Sequence, residues 1–226
     1  MKKTLSVLIV LCVATALFAA AGVTVKAGGS FGFTSMSVYI KQGGMDYQDS
    51  VKANGFGFDA GIQISTRDRM FAFGEFSMLF PAKETYRRGT TEQVHKVDSV
   101  NKLFYTSFAA GVGYRLSLDI PLKISVGGGL FVNKQTRKYT NTVGKFTDSF
   151  ASTGIAGMLE AKYMFTEEFG AALTLLPQIG ILNWEIERKE GYSEFTCIRG
   201  LGAGFSMPIV LGVAYSFNEL SNQVQH

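Results

Sequence analysis

Residues 121 to 133 read "PLKISVGGGLFVN", and their alternation decides what kind of molecule this chain makes. Leu122, Ile124, Val126, Leu130 and Val132 share one parity with Gly128, while Lys123, Ser125, Gly127, Gly129, Phe131 and Asn133 share the other. A period of two is the mark of a strand with two unlike faces. Here one face is continuous apolar surface and the other is mostly glycine, serine and charge, so the two faces must meet different surroundings.

The same pattern recurs on both sides of this segment. Near residues 55 to 66, Phe56, Phe58, Ala60, Ile62 and Ile64 oppose Gly57, Asp59, Gly61, Gln63 and Ser65. Near 103 to 118, Phe104, Phe108, Val112, Tyr114 and Leu116 oppose Tyr105, Ser107, Gly111, Gly113 and Arg115. Near 201 to 217, Phe205, Met207, Ile209, Leu211, Val213, Tyr215 and Phe217 oppose glycines and serines. Weaker alternation marks strands at 29 to 41, 70 to 81, 151 to 165 and 169 to 183, which brings the expected number to eight. Polar segments at 42 to 53, 83 to 102, 134 to 150 and 184 to 200 are expected as four long loops at one end. The connections at 65 to 69, 119 to 120 and 166 to 168 are tight turns at the other. Long and short connections in alternation describe an up-and-down antiparallel meander, because a parallel sheet needs a long crossover every time.

A water-soluble eight-stranded barrel would also alternate, with its apolar face lining a cavity and lysine and glutamate outside. In this chain the minority face is small residues with a few charges, which suits a narrow interior. The strands run about 13 to 17 residues, beyond the roughly 9 to 11 that cross a bilayer with tilt. Backbone donors in lipid must all be paired, and for strands that requires closure. The expected fold is therefore all-β: a closed, eight-stranded, antiparallel, up-and-down transmembrane β-barrel.

The N-terminus supports export. Lys2 and Lys3 precede an apolar run from Leu5 to Ala21 that ends in Ala19, Ala20 and Ala21, the small residues a signal peptidase needs. Residues 1–21 are read as a cleavable signal peptide, with Ala27 as a second acceptable end (1–27), and residues 22–226 as one barrel with a short C-terminal tail. Removing Lys2 and Lys3 from the 22 bases leaves 20 against 18 acids, too small an excess for a nucleic-acid partner. The cysteines are Cys12, inside the leader, and Cys197, so no internal disulfide is expected. Leu11, before Cys12, is too large for a lipidation signal.

The chain as a whole resembles the small eight-stranded bacterial outer-membrane β-barrel proteins of the OmpA-transmembrane, OmpX and OmpW type. The most specific match is in the last strand, where Gly212, Tyr215 and Phe217 resemble the aromatic-ended signal read by barrel-insertion machinery. Val210 departs from that signal, and residues 218 to 226 follow its final Phe. The resemblance implies residence in the bacterial outer membrane, with outer-membrane lipid and the insertion machinery as partners, and a monomer. An OmpW-like variant would admit a small apolar solute.

Asp59, Glu75, Arg115, Lys123, Glu160 and Lys162 all fall on the lumen parity near the short turns. An eight-stranded interior is barely wide enough for its own side chains, so these acids and bases are expected to pair into a plug; a gated ion path is the alternative. Ser35, Ser37, Gly127, Gly129, Gly202, Gly204 and Ser206 are read on the same parity above them, as the walls of a shallow cavity. Pro177 and Pro208 stand at similar heights on opposite parities of the last two strands. Each deletes a ladder donor, so a bulge or a weakened seam is expected there, either as a register correction or as a lateral exit.

No enzyme is read here: a serine hydrolase needs a histidine beside an activated hydroxyl, and the histidines are His95, in an expected long loop, and His226, the last residue, neither expected on a strand near the membrane rim. No metal or cofactor site is expected, for want of a His/Cys/Asp cluster at ligand spacing. The polar, partly basic and aromatic-bearing loops, such as 83 to 102 and 134 to 145, suit anionic glycans, lipopolysaccharide or host proteins as ligands, and Trp184 suits an interfacial anchor. The functional expectation is a structural or surface-interaction role through four extracellular loops, with a narrow or gated conduit for a small solute as the alternative.

Overall fold

Alternating aromatic, β-branched and small residues favour pleated, paired strands over helices, and a computed structural model of the chain shows how far that pairing extends. The structure describes residues 22–42, 45–65, 69–88, 91–97, 102–117, 120–141, 144–189 and 195–217. They form ten strand segments: β1 (Gly22–Gln42), β2 (Met45–Ser65), β3 (Met70–Arg88), β4 (Thr91–Lys96), β5 (Lys102–Ser117), β6 (Leu122–Asn141), β7 (Gly144–Met164), β8 (Phe169–Leu175), β9 (Gln178–Lys189) and β10 (Phe195–Phe217).

The walls are antiparallel neighbours in chain order, and β1 pairs with β10 from Val23↔Phe217 to Met36↔Gly204, which closes the ring. β8 and β9 are the lower and upper parts of one wall, and β4 pairs only with the top of β3, so the ring has eight walls. The row of ladder partners Lys26, Gly61, Glu75, Ala109, Phe131, Gly154, Gly180 and Gly204 returns to β1 at Met36, ten positions beyond its start (26 to 36). With strands about 4.8 Å apart and a rise of about 3.3 Å per residue, that stagger tilts the strands by about 40° and sets a backbone radius of about 8 Å.

The quoted segment faces as its pattern requires. Val126, Leu130 and Val132 are 43%, 70% and 47% exposed on the outer wall, whereas Ser125 is fully buried and Phe131 is 3% exposed. Met70, Tyr114, Leu116, Tyr163, Phe165, Phe169, Tyr215 and Phe217 ring the end with the tight turns, and Phe33, Phe56, Phe80, Val132, Ile179 and Phe205 close the apolar belt above.

Two expectations are corrected. The four polar segments are for the most part strand: β1 and β2 meet across residues 43–44, β6 and β7 across 142–143, β9 reaches Lys189 and β10 begins at Phe195. The ladder simply continues above the membrane. There the outer face meets water, so the apolar alternation stops although backbone pairing does not. In β1, the lumen parity carries Lys26, Ser30, Thr34, Met36 and Val38, all buried, so Ser35 and Ser37 stand on the outer parity.

Candidate functional site: the barrel lumen and its rim

The lower lumen is held by one cation between two acids. Lys26 Nζ, from β1, lies 2.5 Å from Glu75 Oε1 on β3 and 2.5 Å from Glu160 Oε2 on β7, and both carboxylates are buried. Gln63 Nε2 donates to both oxygens of Glu160 at 3.0 Å, and Thr174 Oγ1 stands 3.3 Å from the same carboxylate. Charges this far from water persist only when paired and hydrogen-bonded. The tie crosses the lumen from one wall to two others.

Of the six residues read as a plug, Glu75 and Glu160 are thus joined, through a seventh, Lys26. Asp59 accepts from Ser77 Oγ at 2.5 Å. Lys162 is buried and donates to Thr24 Oγ1 at 3.4 Å. Arg115 Nη2 donates to Ser65 Oγ at 3.0 Å and to Gln63 Oε1 at 3.4 Å, with its guanidinium 5.9 Å from the centroid of the Phe71 ring. Lys123 is half-buried, opposite Lys162 in the ladder. Lys26 falls outside the first strand that alternation marks, which starts at residue 29; its period with Ser30 and Thr34 is the signal that points to it.

Beside and above this layer the lumen is apolar: Phe71, Phe73, Ala109, Phe131, Ala156, Met158, Leu176 and Val210 pack together. Of the four glycines of the expected cavity wall, Gly127 serves this packing, since a Cβ on it would come within 3.1 Å of Phe73 Cε1. Next comes a neutral polar ring. Tyr105, fully buried, donates to Ser206 Oγ at 3.1 Å and Gln178 Oε1 at 3.3 Å; Asn133 Nδ2 donates to the same two atoms at 3.2 and 3.3 Å; and Gln178 Nε2 donates to Ser107 Oγ at 2.8 Å.

Pro177 and Pro208 meet at the junction of β8 and β9. Leu175 pairs with Ile209 and Gln178 with Ser206, in one unbroken register, so the expected bulge is not at the prolines. What is lost is ladder bonding. Leu176 N–H donates to the Pro208 carbonyl (3.0 Å) and Gly157 N–H to the Pro177 carbonyl (2.7 Å), but proline has no N–H to return either bond. The two losses fall on opposite sides of the same wall. The register shifts in β9 and β3 lie elsewhere: between Gly180 and Leu182, which leaves Ile181 as the extra residue, and between Pro81 and Lys83, which leaves Ala82.

The rim above the apolar belt has its own core. Met36, Val38, Val51, Tyr86 and Phe150 are buried together. Arg137 Nη1 lies 3.1 Å from Glu84 Oε1 and its Nη2 lies 2.5 Å from Asp148 Oδ2, with the guanidinium 5.5 Å from the Tyr86 ring centroid. Gln135 Nε2 donates to Glu84 Oε2 at 2.7 Å, and Tyr86 Oη donates to Asp49 Oδ2 at 3.3 Å. Burial pushes the Glu84 carboxyl above its ordinary range, against the opposing pull of Arg137. Burial alone would lower Arg137, but Glu84 and Asp148 hold it above the usual value. His95 is on strand β4 at the rim rather than in the expected loop, with its ring 6.3 Å from Tyr86, and it is pushed down by burial and by Arg137. Met36 and Val38 fall in the strand expected at 29 to 41, but the charged members of this cluster are not legible in the sequence, because Asp49, Glu84, His95, Arg137 and Asp148 lie in segments whose polar composition reads as loop. Trp184 lies within β9, half-exposed, rather than at the head of a loop.

A closed eight-walled barrel with a lipid-facing apolar belt and a filled, polar-layered lumen defines an integral β-barrel membrane protein. Residues 4–175 match the model of the family described as outer membrane protein beta-barrel domain, and the chain belongs to that family. It therefore resides in the bacterial outer membrane. The fold is similar to that of the outer membrane protein OprG from Pseudomonas aeruginosa (12% identity, 88% of this chain and 96% of that one, TM-score 0.63). It is also similar to a major outer membrane protein from Thermus thermophilus (11% identity, 84% and 99%, TM-score 0.51) and to the outer membrane protein AlkL (13%, 87% and 90%, TM-score 0.50). No curated protein matches the chain in sequence.

Proposed function

We propose that the protein is a non-enzymatic, closed barrel that holds its extracellular rim above the outer membrane as its working surface, as a structural or surface-interaction protein. The observation that carries this reading is the Lys26 tie: an ion entering the lower lumen would have to displace a buried cation bridging Glu75 and Glu160. Above it the interior is occupied by Phe131, Ala156 and Leu176 and then by the ring of polar side chains around Tyr105. Planar-bilayer recording of the full, refolded chain tests closure. Silence, with heat-modifiable migration on a gel confirming the fold, supports the reading, and discrete unitary currents contradict it.

A second reading is favoured by the proline pair. The apolar side chains of Leu176 and Val210 stand on the lumen side of the wall in which two ladder bonds are lost, so a small apolar solute entering from the rim would find a weak seam toward lipid. Uptake of an apolar fluorophore by vesicles carrying the protein distinguishes the readings. Slower uptake by Pro177→Val/Pro208→Val than by the unaltered chain favours the conduit, and equal rates remove it.

A further inference from the structure

The outer wall carries a second chemical feature that a lumen-based function does not use. Immediately above the apolar belt, Lys52 on β2, Lys83 on β3, Lys96 on β4, Lys102 on β5 and Lys134 and Lys138 on β6 are all exposed and outward-facing. Lys134 is two residues beyond Val132, Lys102 two beyond Phe104 and Lys52 four beyond Phe56, which places them about 5–10 Å past the last apolar side chains. That is the depth of lipid headgroup phosphates. The lysines cover one side of the barrel. On the other side, the described outward residues at this level include Ser35, Ser37, Ala151, Thr153, Trp184 and Ala203, none of them charged.

Their pairing is unfavourable on its own. Lys102 stands directly opposite Lys138 in the β5–β6 ladder, and Lys83 directly opposite Lys96 in the β3–β4 ladder. Like charges facing each other across a strand pair, with Cβ atoms about 5 Å apart, are destabilising. Among the described residues no carboxylate forms an ion pair with any of these six lysines. The acids of this level point inward: Glu84 and Asp148 on Arg137, and Asp49 on Tyr86. The hairpin's exposed acid, Glu92, stands opposite Arg87, higher on β3. The rim is thus radially polarised, with acids within and bases without. Lys138 Nζ lies 5.8 Å from the Phe104 ring centroid, so one member of a pair rests over the top of the apolar belt.

We propose that this half-collar is a binding site for the phosphates of the outer-leaflet saccharolipid, with one phosphate group bridging Lys102 and Lys138 and another bridging Lys83 and Lys96. A multiply charged phosphate turns each repulsive pair into a pair of charge-assisted hydrogen bonds, and the lipid's acyl chains lie against the apolar belt directly below. The site depends on the chain's place in the outer membrane and holds whether or not the lumen conducts.

The test uses the full chain refolded into phosphatidylcholine vesicles that contain bisphosphorylated lipid A, its dephosphorylated form, or phosphatidylglycerol. After detergent extraction and column purification, the retained lipid is measured by mass spectrometry. Retention of bisphosphorylated lipid A is expected to exceed that of the other two lipids by about tenfold and to fall in high salt. The Lys83→Gln/Lys96→Gln/Lys102→Gln/Lys138→Gln variant is expected to lose that excess, and Lys145→Gln, farther along the outer wall, to keep it. Thermal unfolding gives an independent sign. In phosphatidylcholine alone the quadruple variant melts above the unaltered chain, because repulsion is removed; with lipid A present it melts below. Equal retention of all three lipids by the unaltered chain, undiminished retention by the quadruple variant, loss in Lys145→Gln, or a melting difference of the same sign in both vesicles would each overturn the proposal.

Discussion

The membrane-embedded part of the barrel and the rim above it are built on one continuous ladder and differ in what surrounds them. In β6 the register with β7 runs without a break from Leu122↔Tyr163 to Asn141↔Gly144, through the belt and beyond it. Below, the outer face is Val126, Leu130 and Val132; above, it is Lys134 and Lys138. Inside, both levels use the same device, a cation between two carboxylates: buried Lys26 with Glu75 and Glu160 below, part-buried Arg137 with Glu84 and Asp148 above. Strand pairing is therefore set by backbone bonding and closure, while the identity of the outward residues reports only the solvent at that height.

Removal of the lower cation separates the two levels most severely. Lys26→Met leaves Glu75 and Glu160 buried without their counter-charge, and a loss of about 3–5 kcal/mol is expected, measured by urea unfolding in lipid vesicles. A loss below about 1 kcal/mol would mean that the lower lumen is wet enough to solvate the acids. Next comes the outer face. Leu130→Arg, at mid-belt and 70% exposed, is expected to cost about 2–4 kcal/mol in the same assay. Lys134→Leu, two pleats higher on the same face, should cost almost nothing; equal costs would erase the boundary between belt and rim.

Arg137→Met is the upper counterpart of Lys26→Met and sharpens the contrast. The rim is bounded by water, so the expected loss is smaller, about 1–2 kcal/mol, and local. Hydrogen exchange should accelerate at the tops of β3, β6 and β7 while the amides of the belt keep their protection. The smallest effect concerns pH. A histidine whose folded pKa is lowered contributes stability that is present above its ordinary value of 6.5 and is lost as pH falls through the lowered one. Acidification should accordingly raise exchange of the β3–β4 hairpin, by about twofold, and His95→Gln should abolish that dependence.

How much of this is legible in the sequence follows from the same contrast. Where the outer solvent is lipid, period-two alternation is enforced, and the walls, their order and the lumen parity of Asp59, Glu75, Glu160 and Lys162 can be read from it. Above the belt both faces are polar, and residues 134 to 141 therefore read as loop although they are strand. Arg137 and its partners are hidden with them. Lys26 is hidden for a related reason: Ala27, Gly28 and Gly29 dilute the apolar signal at the start of β1. Pro177 and Pro208 are legible as lost donors, but whether the chain bulges at them depends on neighbouring registers, and those are set by the ring as a whole.

In β6 the odd positions face the lumen while the even positions pass from lipid to water at Lys134, an arrangement that spin-label accessibility reads out position by position. Single labels at positions 130, 133 and 134, in a chain whose native cysteines are replaced by alanine, are measured in vesicles against dissolved oxygen and a water-soluble nickel complex. High oxygen access at 130, low access to both reagents at 133 and high nickel access at 134 is the expected result. Oxygen access at 133 with none at 130, or oxygen-dominated access at 134, would contradict it.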